Sequence, residues 1–228
     1  MTRTASGTTA APRWLSAPGV YRPQGDTRLL ERALRQEEVD AGTRVLDVGT
    51  GTGALALAAA RAGAEDVTAI DVSARAVLTA RAHARLHRLP VRARRVRSLE
   101  LSAHERFDLV LSNPPYVPSA RERPPRHRAA RAWDAGPDGR AVLDALCAAV
   151  PGMLRPAGVL LLVQSSVSDV DETVRRLGTA GLDVSIPARR TQPFGPVLRR
   201  RAGFLAERGL IEPGQRCEEL VVIRGART

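Results

Sequence analysis

The chain has 228 residues, enough for one domain of ordinary size with a real core. Hydrophobic residues make up 43% but aromatics only 3%, so the core must be built from Ala, Val and Leu, and no apolar run approaches the roughly 20 residues that cross a bilayer. The net charge of +11 rests on arginine alone, since the sequence has no lysine; it favours an anionic partner such as ribosome, RNA or DNA as much as a merely basic surface.

Met1 to Pro12 is small and polar with no apolar h-region, which does not read as a secretory signal. Cys147 and Cys217 lack CxxC spacing, so a reduced, cytoplasmic protein is expected, without a membrane partner. Residues 1–18 are rich in Ser, Thr, Ala and Pro and predict a disordered tail, which leaves residues 19–228 as one folded domain.

In chain order, Leu29, Leu30, Ala33 and Leu34 fall at helical spacing and predict a helix over 26–39, capped by Asp26 or Thr27. A strand follows over 44–48, a helix over 53–62, a strand over 67–71, and a helix over 74–86 behind the cap Ser73. Strands are predicted over 91–96 and 107–112, a helix over 139–154, and an apolar strand over 158–164. The remainder reads as helix 169–180, strand 182–186, helix 197–209 and strand 219–224. Seven strands alternating with helices indicate βαβ units and a mainly parallel sheet. Residues 118–134, rich in Pro and Arg without apolar periodicity, break the rhythm and read as a mobile flap.

The first strand runs into Asp47-Val48-Gly49-Thr50-Gly51-Thr52-Gly53, a glycine-rich turn that opens a helix. Glycine lets a ligand approach the main chain there, although a tight turn alone can demand it for steric reasons. Eighteen residues beyond Gly53 stands Asp71, at the end of the next strand, where an acid can accept from ribose hydroxyls. A dinucleotide would be expected with GxGxxG, and Asp47 would repel its diphosphate. An acid suits a cofactor that offers an ammonium group, such as S-adenosylmethionine.

Asn113 is the only asparagine of the chain, and it opens Asn113-Pro114-Pro115-Tyr116 directly after a predicted strand. A side-chain amide, two rigid prolines and an aromatic ring can grip a flat NH2-bearing group, either a carboxamide or the exocyclic amine of a base. The bland reading is a surface turn, which Asn-Pro often starts. His83 and His87 have the spacing of a metal pair, but no third ligand is apparent, so a solvated helix face is preferred and no metal is expected. Arg199, Arg200 and Arg201 read as another solvated face, or as a contact for acid or RNA.

Together the glycine loop, Asp71 and Asn-Pro-Pro-Tyr resemble the class I S-adenosylmethionine-dependent methyltransferases. Within them the chain resembles the HemK-type group, which methylates the glutamine of a GGQ motif in translation release factors. Val20-Tyr21-Arg22-Pro23-Gln24-Gly25-Asp26-Thr27 is similar to the "VY-P-EDT" segment of the family's compact branch. Residues 132–140 resemble its "GG-DG" segment, and 219–224 its closing strand. The resemblance implies a seven-stranded Rossmann-like sheet, mostly parallel with an antiparallel last strand, in a single catalytic domain without the N-terminal helical domain of longer members. It also implies S-adenosylmethionine as cofactor, S-adenosylhomocysteine as product and a small zinc-binding activator subunit as a possible partner.

The cofactor residues implied are Asp47, Gly49, Thr50, Gly51, Gly53, Asp71, Val72, Ser98, Asn113 and Thr27. Those implied for catalysis are Asn113, Pro114 and Tyr116, with Pro115, Trp133 and Asp138 joining them at the substrate. In this picture the Asn113 side-chain oxygen and the Pro114 carbonyl take the two N–H groups of the acceptor amine, while Tyr116 stacks on its plane. Three departures stand out: Arg97-Ser98-Leu99 where the family has an acid facing the adenine, with Glu100 two places later; Gly25 for a Glu; and Ala135 for a Gly. Four readings stay open. They are a glutamine amide, an adenine N6 or guanine N2 of RNA or DNA, a small molecule, and a binding module without activity.

Overall fold

The computed structural model describes residues 18–96, 105–120 and 134–228. Seven strands form one sheet in the order β3-β2-β1-β4-β5-β7-β6. They are β1 (Arg44–Val48), β2 (Asp66–Asp71), β3 (Val91–Arg95), β4 (Phe107–Ser112), β5 (Leu154–Ser165), β6 (Leu182–Pro193) and β7 (Cys217–Arg227). The first five are parallel, and β7 runs antiparallel to both β5 and β6. The helices are α1 (Gly25–Leu34), α2 (Ala54–Ala62), α3 (Ala74–His87), α4 (Ala141–Ala149), α5 (Val170–Thr179) and α6 (Pro196–Glu207). None of them is long and apolar enough to cross a membrane.

The chain winds outward from β1 through β2 to β3, then returns to the other side of β1 as β4. The strand order therefore reverses between β1 and β4, and the carboxyl ends of strands at such a switch point open into a crevice where ligands bind. The glycine loop leaves β1 there, and Asn113-Pro114-Pro115-Tyr116 leaves β4. Val48 pairs with Ser112 across the two strand ends, and the Ser112 hydroxyl donates to the Val48 carbonyl at 2.9 Å. This bond fixes the two loops relative to each other.

The core follows from composition. Val45, Leu46, Val67, Val110, Leu111 and the run Leu160 to Val163 are all fully buried. Among the described residues, Phe107 is the one aromatic of the large side chains buried to that degree. Both faces of the central strands are covered, which is why these strands read as continuous apolar runs rather than alternating ones.

Four expectations change. Helix α1 is capped at Gln24, not at Asp26 or Thr27, and it ends at Leu34 rather than at 39. Asp26 lies within the first turn and its carboxylate is occupied elsewhere. Helix α4 starts at Ala141 rather than at 139, because Gly139 takes a left-handed φ of +77°. Its expected C-terminal end, Val150–Met153, is a 3-10 turn. Strand β6 continues to Pro193 rather than stopping at 186. Arg189, Arg190 and Gln192 carry no strand signature, yet pairing with β7 holds them, as in the Arg189–Glu219 ion pair at 2.7 Å.

Candidate active site

Asp47 lies inside β1, paired with Ala69 on one side and Leu111 on the other, and is fully buried. One carboxylate oxygen accepts from the Thr50 hydroxyl at 2.6 Å and from the Ala56 amide at 3.1 Å. The other, Oδ1, is buried with no hydrogen-bond donor. Burial pushes this carboxyl up to about 7, against the pull of the Thr50 and Ala56 bonds. A buried acceptor without a donor is costly, and a cationic ligand would remove that cost.

The glycines of the loop divide the work. Gly49, at φ +72°, has no atom within 4 Å of where a Cβ would stand, so its main chain faces open space. Gly53, at φ +88°, would put a Cβ 3.1 Å from Ala80, so it serves the packing of α2 on α3. The Gly49 and Thr50 amides both donate to the Ile70 carbonyl, at 2.9 and 3.0 Å, and the Gly51 amide donates to Asp71 at 3.0 Å. The second oxygen of Asp71 accepts from the Ser73 amide at 2.8 Å. Asp71 thus stands half-buried at the end of β2, fixed by two main-chain donors, with the apolar side chain of Val72 40% exposed beside it.

Opposite the glycine loop, the Asn113 amide donates through Nδ2 to the Thr27 hydroxyl oxygen at 3.2 Å. Thr27 in turn donates to Asp26 at 3.3 Å, and its own backbone amide donates to the same carboxylate oxygen at 2.6 Å. The other Asp26 oxygen accepts from Tyr21 at 2.6 Å and from Tyr116 at 3.0 Å. Both tyrosines of the chain therefore end on one buried carboxylate. Burial and the adjacent Asp26 hold both phenols protonated, with pKa values raised well above the usual range. Tyr116 is thereby anchored at its hydroxyl. Glu218 on β7 lies in the same neighbourhood; burial raises its pKa, and it accepts from Gln192 at 3.0 Å.

Behind Asn-Pro-Pro-Tyr the chain is pinned at both ends of the segment read as a flap. Val117 bridges Asp134, the Ser119 amide donates to the Gly136 carbonyl at 2.8 Å, and the Ala135 amide donates to the Val117 carbonyl at 3.1 Å. Arg201 from α6 donates to the Pro118 carbonyl at 2.7 Å and pairs with buried Asp134 at 2.6 Å. Asp138 is exposed, and its carboxylate accepts from the Arg140 amide at 2.9 Å.

The structure brings Thr27, Asp47, Gly49, Thr50, Gly51, Gly53, Asp71, Asn113, Pro114, Pro115 and Tyr116 to the switch-point end of the sheet. Trp133, Ser98, Glu100 and the interior of the flap lie outside the described residues. Two readings are corrected. His83 is not on a solvated face: it is fully buried, with Nδ1 2.7 Å from the Thr52 carbonyl, beneath the glycine loop. Arg201 is not a solvated arginine either, since it clamps the base of the flap. Sequence reasoning took Asp26 only as a helix cap and as part of the segment similar to VY-P-EDT; its place between the two tyrosines appears only in the fold.

The fold and this site define a methyltransferase. A model of the methyltransferase small domain family matches residues 14–180. A putative protein N5-glutamine methyltransferase of Methanocaldococcus jannaschii is 34% identical over 178 residues, covering 78% of this chain and 88% of that one. The human methyltransferase HEMK2 is 34% identical over 171 residues, covering 72% and 79%. Among solved structures, E. cuniculi Mtq2 in complex with Trm112, responsible for methylation of the eRF1 translation termination factor, superimposes with a TM-score of 0.61 at 24% identity, covering 92% of this chain and 99% of that one. The chain belongs to the methyltransferase small domain family, and within it to the HemK type.

Proposed function

We propose that this protein transfers the methyl group of S-adenosylmethionine to the side-chain amide nitrogen of a glutamine in a translation release factor. The observation that carries the reading is the Asn113 amide, tied by its nitrogen to Thr27, which leaves its oxygen as the end that can accept from a substrate.

The residues present fit the cofactor. Asp47, with a buried acceptor lacking a donor, suits the ammonium group. Asp71 suits a ribose hydroxyl. Gly49 and Gly51 leave room for a ligand at the main chain, Thr50 orients the Asp47 carboxylate, Gly53 seats the helix behind the loop, and Val72 offers an apolar surface to the adenine. Thr27 and Ser98 complete the proposed set. Bound there, S-adenosylmethionine supplies an electrophilic methyl on a sulfonium.

A carboxamide nitrogen is a poor nucleophile because its lone pair is delocalised into the carbonyl. Asn113 Oδ1 and the Pro114 carbonyl accept its two N–H groups, draw the nitrogen toward tetrahedral geometry and aim the lone pair. Pro114 and Pro115 keep the loop rigid, since proline fixes φ. Tyr116 and Trp133 are assigned as walls for the flat group, and Asp138 as a further residue for the substrate. No general base is required before attack, because the nitrogen's proton becomes acidic only once the fourth bond has formed. The rate enhancement comes from positioning and preorganised acceptors.

The relatives named above support a protein substrate, and the Mtq2–Trm112 complex supports a small partner subunit. A second reading, an adenine or guanine amine of RNA or DNA, draws on the basic face between α3 and β3, where Arg81, Arg85, Arg88 and Arg92 line one shallow groove. A competition assay separates the two. With cofactor carrying a labelled methyl group, label is expected on the GGQ glutamine of a release factor. Label in rRNA or DNA beside an untouched release factor would transfer the assignment to nucleic acid.

A further inference from the structure

We infer that Asp26, acting through the Thr27 hydroxyl, sets which end of the Asn113 amide faces the acceptor, and is therefore a positioning residue for methyl transfer. This rests on the catalytic reading of Asn113 given above; the relay itself follows from the hydrogen bonds and the protons available to them.

A carboxylate only accepts hydrogen bonds. Asp26 receives four: Tyr21 and Tyr116 on one oxygen, the Thr27 amide and the Thr27 hydroxyl on the other. The single hydroxyl proton of Thr27 is thereby committed to Asp26, and its oxygen can only accept from Asn113. An asparagine amide meeting an obligate acceptor must present its NH2, so Nδ2 turns to Thr27 and Oδ1 turns away. Without Asp26 the Thr27 proton is released, can point at Asn113, and stabilises the opposite flip as well.

The two flips have opposite chemistry. With Oδ1 outward, the site offers an acceptor and selects a group that donates, such as an NH2. With NH2 outward, it offers donors and would bind the carbonyl end of a carboxamide, leaving the nitrogen unaligned. The same carboxylate anchors the hydroxyl of Tyr116, so one buried acid touches both the polarity of the clamp and its aromatic wall. The distances of 3.2 and 3.3 Å along the relay are long, and two near-equal flips can differ by little once the relay is cut.

The chain allows a direct test, because Asn113 is its only asparagine. In protein labelled with 15N-asparagine, the side-chain NH2 pair gives one signal pair, assigned by its loss in Asn113→Ala. Asp26→Ala and Thr27→Val both keep a single asparagine, and in each the pair is expected to shift or broaden. In Asp26→Ala the turnover number is expected to fall about 10- to 100-fold, less than the full loss of a transition-state hydrogen bond, with cofactor affinity within about threefold. Asp26→Ala also strands two buried phenols; should it fail to fold, Thr27→Val carries the spectroscopic test. An unchanged NH2 pair in Thr27→Val overturns the relay, as does a shifted pair with wild-type turnover in folded Asp26→Ala. Failure of the underlying reading looks different: Asn113→Ala would turn over normally while the NH2 pair still responds to Asp26 and Thr27.

Discussion

A Cβ on Gly139 would stand 2.4 Å from the Tyr116 carbonyl oxygen and 3.0 Å from the Ser168 hydroxyl that donates to that carbonyl. The turn before α4 and the loop after β4 are in contact at that point, with Gly139 at φ +77°. Gly139→Ala combines a left-handed backbone with a clash against fixed main chain, and should cost about 2–4 kcal/mol in urea unfolding. Gly136→Ala shares the left-handed backbone, at φ +87°, but meets only Ala141 at 3.6 Å. It should cost about 1 kcal/mol, the backbone share alone. Equal losses in the two variants would mean that the Tyr116 contact carries nothing.

Removing the clamp should separate binding from turnover. Asn113→Ala is expected to abolish methyl transfer while the dissociation constant for S-adenosylmethionine stays within a few-fold. Cofactor affinity falling in step with the rate would show instead that Asn113 is chiefly a cofactor ligand.

Asp71 accepts from the Gly51 amide and is the ribose acceptor in the proposed function. Asp71→Ala should weaken cofactor binding by about 1–3 kcal/mol, the scale for a polar group left without its partner. Calorimetric titration reads this directly, and unchanged affinity would remove the ribose assignment.

Asp47 makes stability and binding respond to pH in opposite senses. Its carboxyl is held at about 7 against an ordinary 3.8, so between those values the folded protein binds the proton more tightly than the unfolded chain. The contribution to stability is therefore full below about pH 4 and lost as pH rises through about 7, on the order of a few kcal/mol. Glu218, raised by burial, adds in the same sense. The measurement is thus the difference between wild type and Asp47→Asn, whose unfolding free energy should depend less on pH. A cofactor ammonium favours the ionised acid, so affinity should rise between pH 6 and 8 with release of a proton, detectable by calorimetry in two buffers. Parallel pH profiles for the two proteins would contradict the shift.

The strand and helix sequence was legible because the central strands are buried on both faces and the helices keep their apolar spacing. The candidate site could be read for a narrower reason: Asp47 lies next to the end of β1, Asp71 ends β2 and Asn113 directly follows β4, and a doubly wound sheet brings these strand ends together. What escaped notice depends on partners far along the chain. The end of β6, Arg189 to Pro193, holds two arginines, a threonine, a glutamine and a proline, and is kept in the sheet by register with β7. Arg201 looks like one of three surface arginines until Asp134, 67 positions earlier, comes to meet it. His83 shows a metal-like spacing, and only the fold places it under Thr52. Asp26 reads as a helix cap, since nothing local says that two tyrosines 95 residues apart end on it.

The Asn113-Pro114 peptide has a bearing on chemical durability. An asparagine is ordinarily lost when the backbone nitrogen of the next residue attacks its side-chain carbonyl, closes a succinimide and expels ammonia. Proline carries no N–H at that nitrogen and holds it in a ring, so the route is shut at this one position. Asn113→Asp by ageing would replace the NH2 that Thr27 accepts with an oxygen and add a negative charge to the clamp. The prolines that stiffen the loop thus also guard the only asparagine in the chain from slow conversion to an acid.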